Sequence, residues 1–358
     1  MLTIRRTVMS FCLGGLMSTS IAPALAADNS IFNTTQLDGK YQNSQASPAN
    51  SSAWGILWRY VTERRVDATP TNAIPVLPLT AASLDALPSE QDSVIRFGHS
   101  SVYMLVGGQR WLIDPVFSQR TSPFSFIGPK RFHQPPLNLN ELDNIDGVLI
   151  SHDHYDHLDK YSIGLLKDKV KHFVVPEGVD QHLIDWGVKP ERIQRLRWWQ
   201  SAKFGELSIT ATPTQHFSGR GLFDGNQTLW ASYVIDSPNK RIFFSGDSGY
   251  FDGFKQIGER FGPFDLTMME TGAYDKDWSA VHMTPEQALQ AHLDLRGQAM
   301  MPVHNATFDL AFHSWYEPLE RISALSQQAG VELVTPKIGE VFKVGQNQTT
   351  EAWWRDLK

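Results

Sequence analysis

The sequence predicts an α/β fold, on three observations. Short apolar runs of strand length recur along the chain and give way to helical stretches between them. Histidines and aspartates stand directly behind several of these runs, the place where α/β folds carry their chemistry. No repeat of 20–50 residues is visible, so the alternation is not that of a solenoid.

The chain has 358 residues, 41% hydrophobic and 20% charged, the balance of a globular protein with an ample core. Residues 1–26 stand apart. Arg5 and Arg6 precede an apolar run at 8–17, and Ala24-Leu25-Ala26 offers a small-residue cleavage site. This predicts a secretory signal and an exported, periplasmic protein. The run is too short to span a bilayer core of ~30 Å. The single cysteine, Cys12, falls in this signal, so any metal site must be built from His, Asp and Glu. A formal charge of −6 with no run of Lys or Arg argues against nucleic acid as a partner.

Residues 27–91 read as a largely irregular N-terminal extension rich in Asn, Ser, Gln and Pro. One apolar-aromatic patch interrupts it: Trp54, Ile56, Leu57, Trp58 and Tyr60. It is expected to be a short helix, either packed on the domain or making peripheral contact with a membrane.

The regular domain is expected over 92–358. Residues 94–97 read as a strand ending at Gly98-His99-Ser100-Ser101, a tight structural turn. Residues 102–106 and 109–113 read as a hairpin closed by Gly107-Gly108 and ending at Asp114. A Pro-rich loop leads to the apolar run 148–150 and its polar sequel 151–157. Residues 160–169 suggest a helix, 173–176 a strand, 181–186 a helix and 207–211 a strand that leads to His216. Residues 229–235 and 241–244 form a strand pair turning through 236–239, the second ending at Asp247. Residues 266–269 are a strand ending at Glu270. Thr284-Pro285-Glu286-Gln287 opens a helix, with Thr as the cap, Pro in the first turn and Gln completing the capping box. Residues 299–303 are a strand ending at His304, and 331–334 and 340–344 are late strands.

The stretch Ser151-His152-Asp153-His154-Tyr155-Asp156-His157 carries the pattern H-x-H-x-D-H. Imidazole nitrogen and carboxylate oxygen suit Zn2+. His152 and His154 are two apart, and an extended segment points them to one side. His216, Asp247 and His304 recur behind separate strands. The expected arrangement is two zinc ions, one on His152, His154 and His216, the other on Asp156, His157 and His304, with Asp247 shared between them. Water between two such cations is deprotonated near neutral pH, and the net positive site welcomes an anionic group such as phosphate. Asp114 is expected to orient a ligating histidine from behind. His282, two residues before a helix N-terminus, is expected to hold a phosphate or protonate a leaving group. His133, His172, His182, His292 and His313 are expected to be exposed or locally bonded, without a role.

FGHSS at 97–101, LIDPVFS at 112–118, SHDHYDHLD at 151–159, TQHF at 214–217, LWASYVI at 229–235, the long block FFSGDSGYFDGFKQIGERFGPFDL at 243–266 and VHMTPEQA at 281–288 resemble the metallo-β-lactamase superfamily. Within it they resemble the N-acylphosphatidylethanolamine-hydrolysing phospholipase D family. The resemblance implies an αββα sandwich with zinc between the edges of two sheets. It implies hydrolysis of a lipid phosphodiester to an N-acylethanolamine and a phosphatidate, and a catalytic or phosphate-contacting His282 beside Asp156 and Asp247. The substrate class is then a phospholipid or other anionic diester. A lactone, ester or β-lactam hydrolase of the same superfamily is the alternative; a Cys-ligated lactamase site is excluded by composition.

Overall fold

Along the central strands, successive side chains point to opposite faces, and both faces are covered. Val94, Val102, Met104 and Val106 enter one apolar cluster, while Ile95, Phe97, Tyr103 and Leu105 enter another. A strand buried on both sides needs a second layer on each, which is the condition for a four-layer sandwich. The computed structural model describes residues 33–45 and 53–358. The signal expected at residues 1–26 lies outside them.

The elements run β1 (Thr35–Leu37), β2 (Lys40–Gln42), α1 (Ala53–Thr62), α2 (Ala81–Asp85), β3 (Ser93–Gly98), β4 (Ser101–Val106), β5 (Gln109–Ile113), β6 (Ile145–Leu149), α3 (Lys160–Leu166), β7 (Val170–Pro176), α4 (Val179–Asp185) and β8 (Ile193–Leu196). They continue with β9 (Ser201–Phe204), β10 (Leu207–Thr212), β11 (Ser232–Asp236), β12 (Arg241–Phe244), α5 (Gly253–Phe261), β13 (Phe264–Glu270), α6 (Pro285–Asp294), β14 (Gly297–Val303), α7 (Glu317–Ala329), β15 (Glu332–Leu333) and β16 (Val341–Lys343).

Two seven-stranded sheets result, in the orders β16-β3-β4-β5-β6-β7-β8 and β15-β14-β13-β12-β11-β10-β9. Each is antiparallel at one side and parallel at the other. Pairing turns parallel from β5 to β8 in the first sheet and from β12 to β15 in the second. Parallel neighbours need a crossover, and α3, α4, α5, α6 and α7 supply the helical ones. Trp111, Tyr233, Phe244 and Met268 fill the space between the sheets. Trp111 fits because residue 147 on the neighbouring strand is glycine; a Cβ there would fall 2.1 Å from the indole. Ile163, Leu166 and Leu183 cover the outer face of the first sheet, and Phe254, Ile257, Leu289 and Ile322 that of the second. This is the αββα sandwich.

The hairpin turn at Gly107-Gly108 has φ of 55° and 71°, which glycine adopts without penalty. The Thr284–Gln287 capping box is present in both directions. Three local readings differ. The stretch 229–231 is not strand: the N–H of Leu229 donates to the Glu177 carbonyl and that of Ala231 to the Ser151 carbonyl, so this stretch is tied to loops after the first sheet before β11 begins. β8 and β9 leave no mark in the apolar pattern, because four half-exposed residues make no apolar run. In the largely irregular stretch, α1 is the short helix expected at 54–60, while β1, β2 and α2 were not expected. Tyr41 of β2 is buried, and its hydroxyl donates to Glu177 at 2.6 Å.

Candidate metal centre

The loops behind β5, β6, β10, β12 and β14 meet at one edge of the sandwich. Backbone conformation there is unusual. His99, Asp114 and His304, all non-glycine, adopt φ of 54°, 38° and 62°. Such left-handed residues cost about 1–3 kcal/mol each and persist where surroundings hold them. The His304 N–H donates to the His99 carbonyl, and the His99 N–H to Thr307 Oγ1 at 2.6 Å. Gly246 (φ 55°) lets the chain turn Asp247 inward; a Cβ on it would lie 2.9 Å from the Ala231 carbonyl.

The seven expected ligands are gathered in two groups. His152 Nε2 lies 2.9 Å from His154 Nδ1, which lies 3.2 Å from His216 Nε2. His157 Nε2 and His304 Nε2 lie 3.6 and 3.2 Å from Asp156 Oδ2. Asp247 Oδ2 stands between the groups, 3.1 Å from His157 Nε2, 3.0 Å from His304 Nε2, and 3.8 Å from both His152 Nε2 and His216 Nε2. One carboxylate thus faces both sets of donors.

Burial pushes the His152 and His216 imidazoles well below their usual range, and His154 is lowered by the same cause. Neutral imidazole is the ligating form. Burial alone would raise Asp247 and Asp156, but the His157 and His304 rings hold both carboxyls well below the usual range. Burial likewise opposes a charge on His304, yet Asp247 and Asp156 lift it to about 10.

The donors fit a pair of cations. His216 Nδ1 faces the Val281 carbonyl at 3.0 Å and so carries the ring hydrogen, which leaves Nε2 a bare lone pair turned toward His154. His157 Nε2 and Asp247 Oδ1 are buried without a hydrogen-bond partner among the described residues. The charge that protons supply to His157 and His304 is what a bound cation would supply instead.

The supporting residues are equally fixed. Asp114 is wholly buried; it accepts from His157 Nδ1 at 2.8 Å, from the Ser151 N–H at 2.8 Å and from the Ser151 hydroxyl at 2.6 Å. Asp153, between the first two ligands, accepts from the Gly219 N–H and the Thr228 hydroxyl, and so fastens 151–157 to the loop behind His216. His282 Nδ1 lies 2.9 Å from Glu270 Oε2, and its ring centroid is 5.1 Å from that of His216.

Two residues escaped the sequence reading. His99 does sit in the turn expected of it, but its Nε2 also lies 2.9 Å from Asp156 Oδ2, and its ring is 4.0 Å from that of His304. Burial drops its pKa to about 3. Glu270 is wholly buried behind His282, and burial raises its carboxyl. Both end strands, and that signal, applied without exception, finds them. Of the histidines given no role, His133 and His313 bond locally to the Gln134 and Ser314 carbonyls, while His292 is buried and bonds to the distant Thr267.

A cavity of about 390 Å3 opens onto this cluster, with His154, Asp156, Asp247, His282 and His304 in its lining. The other walls are apolar: Phe217, Trp278, Leu310, and Ile56 and Tyr60 from α1. Arg59 anchors that helix, bonding Asp275 at 2.6 Å as well as Asp277, and stacking 3.9 Å over the Phe312 ring. The Tyr60 hydroxyl donates to the Leu310 carbonyl. The opposite face of α1 leaves Trp54, Trp58 and Val61 exposed.

Comparison with known proteins identifies the family and the fold. The family profile described as "Beta-lactamase superfamily domain" matches residues 109–305. The chain is 30% identical over 322 residues to the N-acyl-phosphatidylethanolamine-hydrolyzing phospholipase D 1 of Caenorhabditis elegans, covering 85% of this chain and 90% of that one. It is 43% identical to an uncharacterized protein of Mycobacterium tuberculosis over 84% of this chain and 80% of the other. Among solved structures, Igni18, a metallo hydrolase from Ignicoccus hospitalis, superposes with a TM-score of 0.55 at 22% identity, over 72% of this chain and all of that one. The chain is a metal-dependent hydrolase that belongs to the metallo-β-lactamase superfamily and, within it, to the family of N-acylphosphatidylethanolamine-hydrolysing phospholipases D.

Proposed function

We propose that the protein is a phosphodiesterase of phospholipase D type that uses two zinc ions and cleaves N-acylphosphatidylethanolamine-like lipids. The observation that carries this reading is the two-part cavity, with ligating and proton-bearing groups in one part and apolar walls from α1, Phe217, Trp278 and Leu310 around them. A lipid diester is divided in the same way, charged at phosphorus and apolar beyond.

Zinc ions on the two donor sets would supply the Lewis acidity that activates water and offsets phosphoryl charge. The chain's own residues do the rest. Asp247 and Asp156 bring only two negative charges to a doubly occupied site, which leaves it cationic and receptive to an anionic phosphate. His282 keeps Nε2 available, since Nδ1 is engaged by Glu270. The apolar walls keep bulk water from the bond being cut. The names of the Caenorhabditis elegans relative and of a yeast relative at 30% identity support the substrate class. The exposed Trp54 and Trp58 support peripheral contact with a membrane, and the leader-like residues 1–26 support export to the periplasm. The acidic balance of the chain gives nucleic acid no purchase.

The test is turnover by the purified, zinc-loaded protein of three substrates: N-acylphosphatidylethanolamine in mixed micelles, bis-p-nitrophenyl phosphate, and a lactone. Release of N-acylethanolamine and of nitrophenolate is expected. Turnover of the lactone alone would overturn the reading in favour of a lactone, ester or β-lactam hydrolase.

A further inference from the structure

Glu270 is a carboxylate with an unusual set of neighbours. It ends β13, is wholly buried, and pairs with no Lys or Arg among the described residues. Its Oε1 accepts the Met283 N–H at 2.7 Å and its Oε2 lies 2.9 Å from His282 Nδ1. The first bond fixes the carboxylate against the backbone just behind His282. The second fixes the ring. A Glu270 oxygen also lies within 4.8 Å of donor atoms of Asp247, His282 and His304, but both of its hydrogen bonds go to His282 and to the backbone behind it. A carboxylate accepts only, so Nδ1 must be the protonated nitrogen facing it, and Nε2 is left for the cavity that His282 lines.

We propose that Glu270 is a positioning residue for His282, holding the ring so that Nε2–H protonates the oxygen that leaves phosphorus. This rests on the phosphodiesterase reading and names the part of that reaction it serves. A water oxygen forms the new P–O bond and its proton goes to solvent. The P–O bond to the head-group alcohol breaks, and its electron pair stays on the departing oxygen. That oxygen takes the proton from His282 Nε2 and leaves as the alcohol. The ring, still donating Nδ1–H to Glu270, regains a proton from solvent before the next turnover. The inference separates two kinds of substrate. A departing alkoxide needs the proton; a nitrophenolate is stable near neutral pH without it.

Zinc-loaded full-length protein and its Glu270→Gln, His282→Gln and double variants are assayed on N-acylphosphatidylethanolamine and on bis-p-nitrophenyl phosphate, with zinc content measured for each. The amide that Glu270→Gln introduces offers an N–H where the carboxylate accepted one. The loss in kcat on the lipid is expected to exceed that on the nitrophenyl diester by about 10²-fold. In the His282→Gln background, Glu270→Gln is expected to add nothing on the lipid, because the two act as one unit. Equal losses on both substrates, independent losses in the double variant, or zinc lost from Glu270→Gln alone would each overturn the assignment of Glu270. A wild-type protein that turns over neither diester would instead remove the phosphodiesterase reading, and this inference with it.

Discussion

His157 Nδ1 lies 2.8 Å from Asp114 Oδ2, and both side chains are wholly buried. The bond sets the ring so that the opposite nitrogen, Nε2, faces Asp247 and Asp156. Asp114 is itself held twice by Ser151, the residue that precedes the first ligand, so the brace and the ligand loop are one piece.

Asp114→Asn should therefore weaken one cation and spare the other. An amide can present a donor to Nδ1, which favours the tautomer with its hydrogen on the ligating atom. In the proposed two-zinc site, affinity for the ion that Asp156, His157 and His304 would hold is expected to fall about 10–100-fold. Calorimetric titration of the apo-protein with zinc resolves the two sites. Equal weakening of both, or of neither, would speak against this.

Asp247→Asn should act on both ions. Its Oδ2 lies near donors of both groups, at 3.0–3.1 Å from His157 and His304 and 3.8 Å from His152 and His216. Metal analysis after dialysis is expected to give less than the full complement at each site. Content equal to that of the wild type would mean the carboxylate is not shared.

Replacing Trp54 and Trp58 together by Ala should separate surface-bound from soluble substrate. Both rings stand on the outward face of α1, away from Tyr60 and Ile56, which line the cavity. Activity on vesicles of N-acylphosphatidylethanolamine is expected to drop several-fold more than activity on bis-p-nitrophenyl phosphate. Parallel losses would return the two tryptophans to a purely structural role.

His292 should give the fold an acid-sensitive component. It is 1% exposed, and its Nδ1 lies 2.7 Å from Thr267 Oγ1, behind β13. Burial lowers its pKa from 6.5 to about 4. The unfolded chain then binds this proton first as pH falls. The stabilisation is complete above 6.5, declines through the interval, and is gone below about 4. Between pH 7 and 5 the wild type should lose roughly 2 kcal/mol through this residue. Denaturant melts of wild type and His292→Gln at both pH values test it: the gap between them should narrow at pH 5, and a constant gap would refute it.

The gathering of donors was legible because each ends an apolar run, and a run of Val, Ile and Phe identifies a strand even when its partners are distant. His216, Asp247 and His304 were found this way, and the β12–β13–β14 parallel register brings the last two to a common edge. His99 and Glu270 carry the same signal. The glycine and serines around His99 also fit a plain turn, and the hydrogen bonds of Glu270 go to His282 and Met283, which lie beyond the loop that follows β13. The helix that carries Ile56 and Tyr60 was legible as an apolar-aromatic patch, but its place in the cavity wall was not. Ile56 and Tyr60 belong to a helix whose seat depends on Asp275, Asp277 and Phe312, contacts that no local periodicity encodes. Leu229 failed for a related reason: apolar composition cannot tell a strand from a segment that bonds to another loop.

The seven donors are divided by origin: His152, His154, Asp156 and His157 follow β6 of one sheet, while His216, Asp247 and His304 follow β10, β12 and β14 of the other. Each donor set draws on both. Every cation bound is thus a rivet through the seam of the sandwich, and mass action ties its occupancy to the folded state. Free metal in the surroundings should govern how long the molecule survives heating as directly as it governs how fast it works.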